Sequence, residues 1–181
     1  MIATEAGVEA YAAAVVDAVD ALVPVEGAYV LGSALLGGFD PDRSDLDLVV
    51  VVERPPTAPE RERVVEVLDG LAPPVRKLEL VVYAAGAKPP AYELNYPDGD
   101  GEPAFWFVLD AAIAQERSRP LRGRSWRELL EPVTEAETRS AAEELVRWAE
   151  EQGGELGRPH ALRARHYLEH GEWITKAEAG S

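Results

Sequence analysis

The sequence predicts an α+β chain whose strands come early and whose helices come late. Apolar runs of strand length alternate with amphipathic helical patterns over the first hundred residues. Beyond Ala104 the apolar period is helical throughout, and a polar glycine loop at 99–101 separates the two regimes. The boundary is accordingly expected there, giving 1–101 as the strand-bearing domain and 102–181 as a helical C-terminal domain. With 181 residues, 46% hydrophobic and 28% charged, the chain can bury one core of ordinary size or two small ones, and its composition is not that of a disordered segment.

Taken in order, residues 4–22 put Val8, Tyr11, Val15, Val16, Val19 and Leu22 on one helical face, and Pro24 and Gly27 end the helix. A strand follows at 28–31. Gly32-Ser33 then opens a short helix at 33–36, which Gly37-Gly38 stops. A second strand starts with Asp45-Leu46-Asp47; its remainder, 48–52, is too uniformly apolar for a half-exposed strand and is expected to be central and covered on both faces. Pro55, Pro56 and Pro59 make a loop before a helix at 61–71, closed by Pro73-Pro74. The strand at 75–83 carries Glu79 between Leu78 and Leu80, where a charge is costly without a partner. Tyr92-Glu93-Leu94-Asn95 is a weaker strand pattern. Helices are predicted at 105–116, 126–130, 134–151 and 159–170, the third announced by a Thr134-x-x-Glu137 capping box, with Gly153-Gly154 and Gly157 as the last hinge.

Composition narrows the functions. The formal charge is −15 and no basic stripe is visible, so a nucleic-acid substrate is disfavoured, because phosphate neutralisation supplies most of such affinity. An acidic surface would instead attract a polycationic small molecule. The absence of cysteine excludes disulfides and thiolate zinc and suits the cytoplasm, the expected compartment. No early apolar run is long enough for a signal peptide or membrane span, since 12–25 is broken by Asp17, Asp20 and Pro24. Gly99-x-Gly101-x-x-Ala104 follows Tyr96-Pro97-Asp98 rather than a strand, so it reads as a turn and not as a dinucleotide fingerprint; a Walker-type glycine-lysine loop is also missing.

The chemistry concentrates in 32–52. Asp45 and Asp47 lie one residue apart, so on a strand they share a face with backbones about 6.5 Å apart. Two carboxylates that close repel unless a cation neutralises them, and oxygen ligands with no cysteine or convincing histidine partner favour a hard ion such as Mg²⁺, completed by substrate phosphates and water. Upstream, a helix beginning at Gly32-Ser33 would aim unpaired N–H groups at an anion.

Gly32-Ser33-Ala34, Gly37-Gly38, Pro41 and Ser44-Asp45-Leu46-Asp47-Leu48 together resemble the signature of the nucleotidyltransferase superfamily related to DNA polymerase beta, closest to its aminoglycoside 3″-adenylyltransferase-like branch. The resemblance implies a small mixed sheet flanked by helices, a helical second domain, and a site in the cleft between them. It implies transfer of AMP from MgATP to a hydroxyl of a small molecule, with an aminoglycoside as one candidate acceptor and pyrophosphate as the leaving group. Asp45 and Asp47 would then hold Mg²⁺, with Glu79 as the third carboxylate, a ligand and the general base. Gly32 and Ser33 would bind phosphate. Arg163, Gly171 and Thr175-Lys176 follow the order of the family's C-terminal phosphate clamp, so Arg163, Arg165 and Lys176 are candidate triphosphate ligands, with Arg43 as a further one. Glu79, Glu93, Asp98, Asp100 and Asp110 are candidates to bind ammonium groups of an acceptor.

His166-x-x-Glu169-His170 matches an inverted zinc-peptidase motif. A peptidase also needs a further carboxylate from a later helix, and the chain ends soon after, so surface or interdomain histidines are expected. Similar proteins continue with another helix, which puts the acceptor pocket in question. Two readings of other classes stay open beside the enzyme: a nucleotidyltransferase-fold antitoxin or sensor that binds a protein, and an inactive ATP-binding module. The sequence does not give the oligomeric state.

Overall fold

The computed structural model describes residues 5–32, 44–86, 93–99, 103–174 and 176–179. Five strands form one sheet in the order β4-β3-β2-β1-β5. These are β1 (Val25–Val30), β2 (Asp45–Val52), β3 (Lys77–Ala84), β4 (Leu94–Tyr96) and β5 (Arg119–Gly123). β2 and β3 are parallel, as a pair joined by a crossover helix must be, while the β1–β2, β1–β5 and β3–β4 pairs are antiparallel. The sheet is therefore mixed, and β2 lies at its centre.

Alternation along the strands sorts the core into two layers. Leu46, Leu48, Val50 and Val52 of β2 and Leu78, Leu80 and Val82 of β3 face α1 (Glu5–Asp20) and α2 (Ala58–Asp69), packing on Val15, Val16, Val19, Val64 and Leu68. The opposite face presents Val49, Val51 and Tyr83 to α3 (Phe105–Arg117) and α4 (Trp126–Leu129). Tyr83 meets Phe107 edge-on at 4.6 Å between ring centroids, which fixes α3 against β3. A run covered on both sides has no use for polar residues, hence the unbroken valines of β2.

α3 works in both directions. Phe107, Ala111 and Ala114 face the sheet, while Phe105 and Leu109 face a hairpin of α5 (Glu135–Gln152) and α6 (Gly154–His170) built on Ala141, Ala142, Leu145, Ala164 and Tyr167. The capping box at α5 forms as predicted: Thr134 Oγ1 accepts from the Glu137 N–H at 3.2 Å, and the Glu137 carboxylate accepts from the Thr134 N–H at 2.7 Å. The hinge predicted at Gly153-Gly154 is there: both glycines take left-handed φ, +63° and +57°. Gly157, the other expected hinge residue, is helix instead, and α6 runs on through it and Pro159. A Cβ on Gly157 would lie 2.0 Å from the Ala149 carbonyl oxygen, so this glycine serves close helix packing rather than a bend.

β5 is the other departure. It comes from beyond the expected domain boundary and pairs with β1 through Gly27, Ala28, Tyr29 and Val30, so the second half of the chain is not wholly helical and contributes to the sheet. As an edge strand it tolerates Pro120, whose missing N–H would break a central ladder. Arg122 ties it to α1 through Asp17 and Asp20. α7 (Lys176–Ala179) is a single turn. Among the described residues no helix is long and apolar enough to cross a membrane.

Candidate active site

The parallel register between β2 and β3 sets Asp45 opposite Lys77 and Asp47 opposite Glu79. Ladder partners project to the same side of a sheet, so Asp45, Asp47, Lys77 and Glu79 share one face at the starts of two central strands. It is the face that α3 covers further along, where Val49, Val51 and Tyr83 continue the same alternation. The three acids picked from sequence are thus on one surface, beside the junction of sheet and helices.

Gly32 closes the site from the β1 side. The Leu31 N–H donates to the Asp47 carbonyl at 2.9 Å, which brings the end of β1 against β2. Gly32 has φ +64°, and a Cβ placed there would fall 1.6 Å from Asp47 Oδ2 and 2.6 Å from its Cγ. The glycine therefore supplies both the left-handed turn and the room that the Asp47 carboxylate fills. Ser33, Arg43 and the predicted helix at 33–36 lie outside the described residues, as does Thr175.

The acids differ in company. Asp45 Oδ2 accepts from Arg76 Nη2 at 2.5 Å, yet its Oδ1 is buried without a hydrogen-bond partner among the described residues. Glu79 Oε1 pairs with Lys77 Nζ at 3.2 Å, and the same ammonium reaches Asp98 Oδ2 at 2.7 Å. Burial works against the Lys77 charge, but its bonds to Asp98 and Glu79 more than offset that, and the pKa is raised. No three acidic or histidine side chains converge as a ready metal cage among the described residues. Glu79, the third acid expected for a metal, is paired with Lys77.

From the helical side comes Arg163, on α6. Its Nε donates to the Ile174 carbonyl at 2.7 Å. Burial pushes the guanidinium pKa down, against the attraction of Asp47 on β2 and Asp110 on α3. The guanidinium is thus bonded to the C-terminal segment and lies within the electrostatic reach of Asp47 and Asp110. Arg165 does not join it. Two residues along a helix is about 200° around the axis, so Arg165 faces outward and pairs with Glu150 of α5. The α7 backbone begins at Lys176. The His166 and His170 rings lie 4.5 Å apart between centroids, tilted at 49°, with His166 half-buried and His170 exposed.

Sequence reasoning overlooked Lys77, Arg76 and Asn95. Lys77 had a readable signal, since it lies two residues before Glu79 in the same strand and so shares its face. Arg76 and Asn95 had none, because their place depends on pairing between distant segments.

This geometry has counterparts. Residues 13–86 match the family described as Nucleotidyltransferase domain, a span that includes Gly32, Asp45, Asp47 and Glu79. No curated protein matches the sequence significantly. Among solved structures, the spectinomycin adenyltransferase AAD(9) from Enterococcus faecialis, crystallised with ATP and spectinomycin, superposes with a TM-score of 0.72 at 20% identity, covering 94% of this chain and 79% of that one. Residues 13–86 of this protein thus match the nucleotidyltransferase-domain family, in a fold that nearly the whole chain shares with an adenyltransferase.

Proposed function

We propose that this protein transfers AMP from MgATP to a hydroxyl group of a small molecule and releases pyrophosphate. The observation that carries the reading is the Asp47–Glu79 ladder pair, with Gly32 packed on Asp47 and Arg163 reaching toward it from α6. A relative with the same fold was crystallised with ATP, which supports ATP as the co-substrate.

Asp45 and Asp47 fit a divalent cation. One buried Asp45 oxygen lacks a partner, and both donors are hard oxygens of the kind Mg²⁺ takes, one or two at a time. When bound, Mg²⁺ supplies charge neutralisation on the phosphates and a polarised α-phosphorus. The chain's own groups do the rest. Gly32 receives phosphate oxygens on its backbone N–H, with Ser33, outside the described residues, as a further candidate, and Arg163 offsets triphosphate charge, with Lys176 and Arg43 as further candidates. Arg165, paired outward, is left out. Glu79 accepts the proton of the acceptor hydroxyl as its oxygen bonds to the α-phosphorus and the bond to the pyrophosphate oxygen breaks. Lys77 holds Glu79 in place from the same face of β3.

Acceptor identity rests on charge. Glu79, Glu93, Asp98 and Asp110 are the candidate acceptor ligands, with Asp100 outside the described residues, and the net charge of −15 favours a cationic molecule. A cationic hydroxylated acceptor, of which spectinomycin is the obvious probe, suits that field. The test is pyrophosphate release from MgATP with spectinomycin and other hydroxylated compounds. Glu79→Gln is expected to bind ATP and to lose transfer by about 10²- to 10⁴-fold. Asp47→Asn is expected to lose Mg²⁺-dependent ATP binding. Normal turnover by the first variant, or unchanged affinity in the second, would remove the corresponding role.

A further inference from the structure

Asn95 is a buried polar side chain with a donor that the fold does not use. It is 7% exposed, and among the described residues its Nδ2 has no hydrogen-bond partner. A buried amide donor left unmade costs free energy, so its persistence calls for a partner that arrives from outside.

The register says where that partner would be. β4 is antiparallel to β3, with Asn95 opposite Val81. Val81 lies on the face that carries Lys77, Glu79 and Tyr83, and ladder partners point the same way, so Asn95 stands on the site face, diagonal to Glu79. Its neighbours look elsewhere: Leu94 and Tyr96 belong to the α1/α2 layer, and the Tyr96 hydroxyl donates to Asp69 at 3.0 Å. Three residues on, Asp98 meets Lys77. Glu79 is thereby flanked along the sheet edge by an ammonium already satisfied by carboxylates and an amide that is not.

We infer that Asn95 is an acceptor-binding residue, whose side-chain N–H donates to an oxygen of the molecule whose hydroxyl Glu79 deprotonates. This rests on the transferase reading. It adds that the acceptor must carry a second oxygen, hydroxyl, ether or carbonyl, within a few bonds of the reacting hydroxyl. Asn95 lies on the acceptor side of Glu79, away from Gly32 and Asp47, so it has no part in holding ATP.

The experiment is steady-state pyrophosphate release from MgATP by wild type and Asn95→Leu, with spectinomycin and myo-inositol as acceptor probes, alongside thermal melting of each protein without ligand. The acceptor KM is expected to rise about tenfold or more in Asn95→Leu while the ATP KM stays within twofold. The melting temperature without ligand is expected to hold or rise, because the leucine discards a donor that bonds to nothing in the folded chain. An unchanged acceptor KM in a folded variant overturns the inference and leaves the transferase reading standing. A joint rise in both KM values with a lower melting temperature shows a structural role and overturns it too. Where Asn95→Leu fails to fold, Asn95→Ala carries the same KM comparison. A wild type that adenylylates neither probe nor any acceptor of a wider panel refutes the transferase reading, and this inference with it.

Discussion

Replacing Gly32 by alanine puts a methyl group where the Asp47 carboxylate already is. The added Cβ would lie 1.6 Å from Asp47 Oδ2, whereas real Cβ contacts essentially never fall under 3.0 Å. The carboxylate must therefore retreat by roughly 1.4 Å or more, and a displacement of about 1 Å in a reacting array is enough for about a 10²-fold loss. Alanine at φ +64° also carries left-handed strain of about 1–2 kcal/mol, which for a chain of this size lowers the melting temperature by roughly 2–8 °C. Gly123→Ala is the control. Its Cβ would lie 2.0 Å from the Glu26 carbonyl oxygen at φ +76°, a backbone clash at the far side of β1. It should cost stability at least as severely, yet leave the acids where they are. Pyrophosphate release per folded molecule, measured below both melting transitions, separates the two. Gly32→Ala should lose about 10²-fold or more and Gly123→Ala less than about threefold. A Gly32→Ala protein that melts lower but turns over normally would show that the Asp47 carboxylate does not need its present position.

Arg163→Met should raise the ATP KM by about tenfold or more and loosen the backbone at Ile174, read as faster proteolysis near residues 171–174; an unchanged ATP KM would confine Arg163 to structure. Arg165→Ala should leave both substrates' kinetics unaltered, since its ion pair with Glu150 is exposed. Glu60 at the start of α2 has its pKa lowered from 4.5 to about 2 by Arg54, the Thr57 N–H and the Thr57 hydroxyl. A depressed carboxyl pKa favours the fold above the unfolded value and loses that contribution as pH falls toward about 2. NMR titration of the Glu60 carboxyl should show that low midpoint and should return toward 4.5 in Arg54→Ala.

Local pattern made much of this protein legible. Asp45 and Asp47 were readable because a two-residue period puts both on one face, and the valines after them because a strand covered on both sides leaves polar residues nowhere to go. Glu79 looked like an exposed residue in an alternating strand, and only the family resemblance gave it a role. Its place beside Asp47 depends on parallel register across a crossover helix, which periodicity cannot supply. β5 escaped notice for a related reason. Arg119-Pro120-Leu121-Arg122-Gly123 has little strand character of its own and takes its form from β1, an edge position where proline is permitted. Arg163 and Arg165 looked equivalent as neighbouring bases in one helix, but about 200° of rotation turns one inward, bonded to the Ile174 carbonyl and within reach of the Asp47 charge, and the other out to Glu150.

Following the α-phosphate tests the central claim most directly. ATP labelled there is incubated with Mg²⁺, the protein and spectinomycin or the best acceptor of the panel. The label should move onto the acceptor with one pyrophosphate released per acceptor modified, and Glu79→Gln should abolish the transfer. Label found only in free AMP or ADP, or on an acceptor that received the γ-phosphate instead, would contradict nucleotidyl transfer at the Asp47–Glu79 pair.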